Sequence, residues 1–138
     1  MISTVEKVLF LKSVDLFKQI PGEDLAQIAQ IADEVEFPGG QTIFKEGDNG
    51  EALYLILEGA VRVHRAERTL TELAEKECFG EMSILDSEPR SASVTATRDL
   101  VALRIQREDF GEILATKSEI ARGIIKVLTH RLREANKR

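Results

Sequence analysis

Between Phe79 and Val94 the sequence reads FGEMSILDSEPRSASV, a mixture of residue types suited to a small ligand with both charge and hydroxyls. Gly80 has no Cβ, so its backbone can approach a bound group closely. Met82, Ile84 and Leu85 read as a short apolar turn of helix directly after it. The first amides of a helix have no internal partner, and with the helix dipole behind them they favour a phosphate. Beyond an acidic loop and Pro89, Arg90 offers a planar fork of donors to phosphate oxygens, and Ser91 adds a short hydroxyl. Glu81 would repel a phosphate, but its carboxylate can accept a hydrogen bond from a ribose 2′-OH. One cation, one carboxylate and free amides fit a ligand that is part phosphate and part sugar. The same residues also have an architectural reading: a turn glycine, a solvated Glu81, and Arg90 paired with Glu88 or Asp86.

The elements that would position this stretch are short. Ser3 and Glu6 form a capping-box pair ahead of a first helix whose apolar face is Val5, Val8 and Leu9, with Phe10 and Leu11 nearby. That face either packs on its own domain or docks a partner. Leu25, Ile28 and Ile31 recur at threes in a second helix, with Pro21 near its first turn. Polar–apolar alternation at Glu34–Phe37, Gln41–Lys45 and Val61–His64, with the apolar run Leu53–Leu57, predicts strands. Pro38-Gly39-Gly40, Gly47-Asp48-Asn49-Gly50 and Gly59 supply the turns between them. Ser91–Thr97 and Leu100–Ile105 continue the pattern, so an antiparallel roll or barrel is expected. A short helix follows over Glu108–Ala115, with Phe110, Ile113 and Leu114 as its apolar side. Ser118 is placed as the cap of a longer helix bearing Ile120, Ile124, Val127, Leu128 and Leu132 at helical spacing.

Bulk properties narrow the function. At 138 residues the chain fits one domain with a real core. A net charge of −5 argues against a general nucleic-acid or anionic-membrane surface, although local donors can still hold one phosphate. Cys78 is the only cysteine, which rules out an internal disulfide and reads as a small buried hydrophobe. No apolar run is long enough to span a bilayer, and the N-terminus lacks a signal-peptide pattern, so a reducing cytoplasm is expected. His64 and His130 make no metal spacing. An enzyme is the weakest reading, because no histidine or lysine base falls within the motif.

The spaced pattern Phe79-Gly80-Glu81, then Pro89-Arg90-Ser91-Ala92, closely resembles the phosphate-binding cassette of the cyclic nucleotide-binding domain family. That family includes the regulatory modules of catabolite activator proteins and protein kinase A regulatory subunits. The likeness extends along the flanking chain from about Leu16 to Leu132. It implies a mainly β fold with flanking helices (α+β): an antiparallel β-roll, jelly-roll-like, with N-terminal helices and a C-terminal lid helix over the pocket. On this reading residues 1–138 form one domain, helical over about 3–32, a roll over about 34–105, and helical again over about 107–137. The implied ligand is cyclic AMP or cyclic GMP, held by Gly80, Glu81, Met82, Ser83, Arg90, Ser91 and Ala92. Cyclic AMP is favoured, because a threonine often accompanies cyclic GMP selectivity at the position of Ser91. Two turns depart from expectation: the hairpin Arg65–Arg68 lacks the glycine or asparagine a tight turn prefers, and the loop Ala74–Cys78 lacks the glycine the family often places before Phe-Gly-Glu. The bacterial regulators continue into a helix-turn-helix domain, whereas this sequence ends at Arg138 with the basic tail HRLREANKR. Direct DNA binding is therefore not expected, and the output is placed in an effector protein or a fused effector domain. The competing reading is a module of the same fold that docks a protein partner and binds no nucleotide.

Overall fold

The structure is a computed structural model that describes residues 2–137; Arg138, the end of the basic tail, lies outside the described residues. Five helices are present among those residues: α1 (Thr4–Lys12), α2 (Gly22–Ile31), α3 (Glu81–Asp86), α4 (Arg107–Thr116) and α5 (Ser118–Asn136). The strands are β1 (Ala32–Phe37), β2 (Thr42–Phe44), β3 (Ala52–Glu58), β4 (Val61–Arg65), β5 (Arg68–Leu73), β6 (Cys78–Phe79), β7 (Ser93–Ala96) and β8 (Leu100–Gln106). The chain divides into two compact units, Ala32–Arg107 and the helical Met1–Ile31 with Glu108–Arg138.

The first unit carries all eight strands in two antiparallel sheets, ordered β1-β8-β3-β6 and β2-β7-β4-β5. The mainly β, antiparallel architecture is the one expected. Alternation explains the burial: along β7, Val94 and Ala96 are buried while Ser93 and Thr95 are only half so. They join Ile56, Val61, Phe79, Leu100 and Ala102 in one core, flanked by Phe37, Phe44 and Tyr54. The strand expected over Ser91–Thr97 is shorter than its alternation, leaving Ser91 and Ala92 ahead of β7.

The two glycine-poor turns close by placing other residues in the left-handed region. Ala66 in the β4–β5 hairpin has φ +52°, and Lys76 in the loop before β6 has φ +72°. His64 braces the hairpin: its Nδ1 lies 2.8 Å from Ala66 O and its Nε2 lies 2.8 Å from Thr95 Oγ1. A carbonyl only accepts, so Nδ1–H donates to Ala66 O, while Nε2 is engaged by the threonine hydroxyl. Ala66→Gly is expected to raise stability by about 0.5–1 kcal/mol, the left-handed penalty less glycine's extra chain entropy. Chemical denaturation of both proteins checks this.

In the helical unit the Ser3 capping box forms, with Glu6 N donating to Ser3 Oγ at 3.1 Å and Ser3 N to Glu6 Oε1 at 3.2 Å. The apolar face of α1 packs only in part, with Val8 and Phe10 half-buried. Leu11 is its one fully buried residue, while Val5 and Leu9 are 69% and 63% exposed. Ser118 is likewise not a cap: Lys117 holds that position without a side-chain bond, and Ser118 is already helical. Along α5 the buried stripe is Ile120, Gly123, Ile124 and Val127. The next residue on that stripe is Arg131, and Leu132 stays exposed. Arg131 donates to Asp15 Oδ2 from Nη2 at 2.9 Å and from Nε at 3.2 Å. Lys18 and Arg131 together hold the Asp15 carboxyl below its usual range. Gly123 permits close packing, because a Cβ there would lie 2.9 Å from Ile20 Cγ1.

Candidate functional site

The cassette lies wholly within the strand unit, between β6 and β7. Phe79 ends β6 facing the core, stacked on Tyr54 across the β3–β6 pair with centroids 5.1 Å apart. Gly80 follows as the N-cap of α3 with φ +83°, a conformation that costs glycine little. A Cβ at Gly80 would stand 2.7 Å from Arg90 Nη1 and 3.1 Å from Ala52 O. The glycine thus lets a guanidinium lie directly against the backbone.

Arg90 is 5% exposed and pairs with neither Glu88 nor Asp86. Its Nη1 donates to Gly80 O at 2.7 Å and its Nη2 to Ala52 O at 2.5 Å. The guanidinium carbon sits 3.9 Å above the centroid of Phe44, a cation–π arrangement. Phe44 also contacts Tyr54 and Phe79, so an aromatic floor supports the charge. The main chain of Arg90 is fixed as well: its N–H donates to Asp48 O, and Gly47 N–H donates to Arg90 O, both at 2.8 Å. Five N–H groups belong to a guanidinium, and the two carbonyls use two of them. Among the remaining three, Nε–H is buried with no acceptor among the described residues. Burial pushes the guanidinium's pKa down, while Tyr54, Asp48, Glu51 and Glu81 oppose that shift. The group stays charged at neutral pH.

The other sequence-derived positions fall around this anchor. Glu81 is half-buried, within electrostatic reach of Arg90, and its Oε2 accepts from the Cys78 thiol at 3.7 Å. Cys78 is accordingly half-buried rather than an inert core residue. Met82 projects to solvent at 62% exposure. Ser83 is buried against Gly50, where any Cβ would overlap Ser83 Cβ. Ser91 is exposed, and its carbonyl accepts from Arg65 Nε at 3.0 Å; Ala92 is buried. Sequence reasoning did not identify Ala52, Phe44 or Gly50 as parts of this arrangement. Their contributions are a carbonyl, a ring face and a missing Cβ.

Residues 34–117 match the family model of the cyclic nucleotide-binding domain. The chain belongs to that family. It is 37% identical over 131 residues to the cyclic AMP receptor protein of Thermus thermophilus, covering 91% of this chain and 61% of that one. It is 32% identical over 131 residues to a CRP-like cAMP-activated global transcriptional regulator of Mycobacterium tuberculosis, covering 91% and 58%. The chain therefore spans about three-fifths of the length of these curated relatives. In structure it superposes on the N-terminal domain of a Streptomyces coelicolor transcriptional regulator with a TM-score of 0.81 and 32% identity. That match covers 93% of this chain and 92% of the other. The Mycobacterium and Streptomyces relatives are transcriptional regulators by name. No helix among the described residues is long and apolar enough to cross a membrane.

Proposed function

We propose that this chain is a non-enzymatic regulatory domain that binds a 3′,5′-cyclic nucleotide, cyclic AMP in preference to cyclic GMP. The observation that carries the reading is Arg90, a buried cation that has, among the described residues, no carboxylate partner and no acceptor for its buried Nε–H. An unpaired buried donor costs about 1–3 kcal/mol, more when charged, and a phosphate oxygen would remove that cost. The names of two relatives, the cyclic AMP receptor protein and the cAMP-activated regulator, support the same ligand class. Arg90 takes the phosphate without releasing its two carbonyls. Gly80 and the amides of Met82 and Ser83 approach the phosphate and ribose, Glu81 accepts from the 2′-OH, and Ser91 and Ala92 complete the cradle. His64, with both ring nitrogens engaged, is not available as a catalytic base. Occupancy is passed through the C-terminal helix to an effector protein or a fused effector domain, in the cytoplasm.

The sugar assignment has its own test. Glu81→Gln should cost about 1–2 kcal/mol of cyclic AMP affinity, the loss of charge assistance. A 2′-deoxy ligand should bind wild type and variant about equally. Wild type that holds the deoxy and ribo ligands equally well contradicts the assignment.

The base preference rests on Ser91, whose hydroxyl rotates more freely than a β-branched threonine's and so discriminates guanine less. The gap between the ligands should be about 1 kcal/mol, near one neutral hydrogen bond. Ser91→Thr should narrow it, chiefly by improving cyclic GMP. Paired titrations decide: tighter cyclic GMP binding by wild type overturns the preference.

A partner-docking module is the second reading, favoured by the exposed apolar residues Val5 and Leu9 on α1 and Ile125 and Leu132 on α5. Saturable cyclic nucleotide binding separates the two.

A further inference from the structure

Cys78 precedes the cassette, and nothing in the phosphate-and-ribose chemistry calls for a thiol there. In the β3–β6 pair Cys78 stands opposite Leu55, next to Phe79, which faces the core. Its Sγ lies 3.7 Å from Glu81 Oε2. An ionised carboxylate only accepts hydrogen bonds, so the thiol donates. Glu81 opens α3 directly after Gly80, and its carboxylate is also within electrostatic reach of Arg90. It thus has the thiol as a hydrogen-bond donor and feels the pull of a guanidinium that is itself 5% exposed, with no acceptor for Nε among the described residues. A glutamate side chain has three rotatable torsions, and fixing them before the ligand arrives removes an entropy cost that binding would otherwise carry.

We infer that Cys78 is a positioning residue: its thiol occupies Oε2 of Glu81 and leaves Oε1 presented to the ribose 2′-hydroxyl. The inference rests on the nucleotide-binding reading of the cassette. Cys78 itself touches no ligand, and its contribution is confined to ligands that use the Glu81 carboxylate. The ribo-to-deoxy affinity ratio should therefore report on Cys78, while affinity for the deoxy ligand should not.

Two measurements on the full chain test this. The first needs no nucleotide. A neighbouring carboxylate disfavours the thiolate, which is the form that reacts with iodoacetamide. Glu81→Gln should therefore speed alkylation of Cys78 about threefold or more at mildly alkaline pH. Equal rates in wild type and Glu81→Gln show that the contact is absent in solution and overturn the inference. The second compares cyclic AMP with its 2′-deoxy analogue. Cys78→Ala should shrink the ribo-to-deoxy ratio about two- to threefold, the scale of one weak donor, with deoxy affinity unchanged. Cys78→Ser, which restores a donor, should return the ratio to the wild-type value. An unchanged ratio in Cys78→Ala, a parallel fall for both ligands, or a serine variant that behaves like alanine each overturns the positioning role. If wild type binds no cyclic nucleotide, the cassette reading fails and takes this role with it. The alkylation rates then still report whether the thiol holds the carboxylate.

Discussion

Arg90→Ala is expected to weaken cyclic AMP binding by about 2–4 kcal/mol, the loss of a charge-assisted contact in a desolvated site. The same change has a structural cost. Gly80 O and Ala52 O each lose a donor, and Phe44 loses the group stacked above it. Thermal melting alongside calorimetry separates the two effects, because a folded variant that fails to bind isolates the ligand term. Arg90→Lys should recover part of the stability and little of the affinity. An ammonium lacks the planar fork needed to hold two carbonyls and a phosphate together. Unchanged affinity in the alanine variant would remove Arg90 from the site.

Gly80→Ala should be the next most damaging change, and for steric reasons. At φ +83° any side chain costs about 1–2 kcal/mol of backbone strain. The added Cβ would also stand 2.7 Å from Arg90 Nη1, well inside contact distance. The guanidinium must then leave its bonds to Gly80 O and Ala52 O or tilt off Phe44. Cyclic AMP affinity should fall at least tenfold, with destabilisation of about 2 kcal/mol. Denaturant unfolding and titration of the same preparation check both, and wild-type affinity would show that Gly80 is not a close-approach position.

Local signals carried much of this fold. Turn clusters around Pro38 and Gly47 bracket β2, and period-two alternation located β7 and its buried pair, Val94 and Ala96. Side-chain capping chemistry was legible at Ser3, whose partner lies three residues away. It misled at Ser118, where Lys117 precedes the helix and the serine sits inside it. Of the α5 stripe read from spacing, Ile120, Ile124 and Val127 are buried, Leu128 is half-buried and Leu132 is exposed. The residue a helical step onward from Val127 is Arg131, and its ion pair with Asp15 bridges 116 positions of sequence.

The candidate site divides in the same way. Gly80, Glu81 and Arg90 stand out by residue type and spacing. The groups that hold Arg90 do not, because Ala52 contributes only a carbonyl, which every residue has, from 38 positions away. Gly50 was visible as a turn residue. Its second role, making room for Ser83, depends on two segments meeting in space. The thiol–carboxylate contact of Cys78 and Glu81 spans three residues and was within reach of local reasoning, but a cysteine read as a core hydrophobe concealed it.

The central claim is that this chain takes up a cyclic nucleotide at Arg90. Isothermal titration of the purified, folded chain with cyclic AMP, and with 5′-AMP as control, tests it most directly. The expected result is a saturable heat at one ligand per chain for cyclic AMP, lost in Arg90→Ala and much weaker for 5′-AMP. A folded protein that shows no saturable heat with cyclic AMP or cyclic GMP, or that binds cyclic AMP as well without Arg90, would contradict the account.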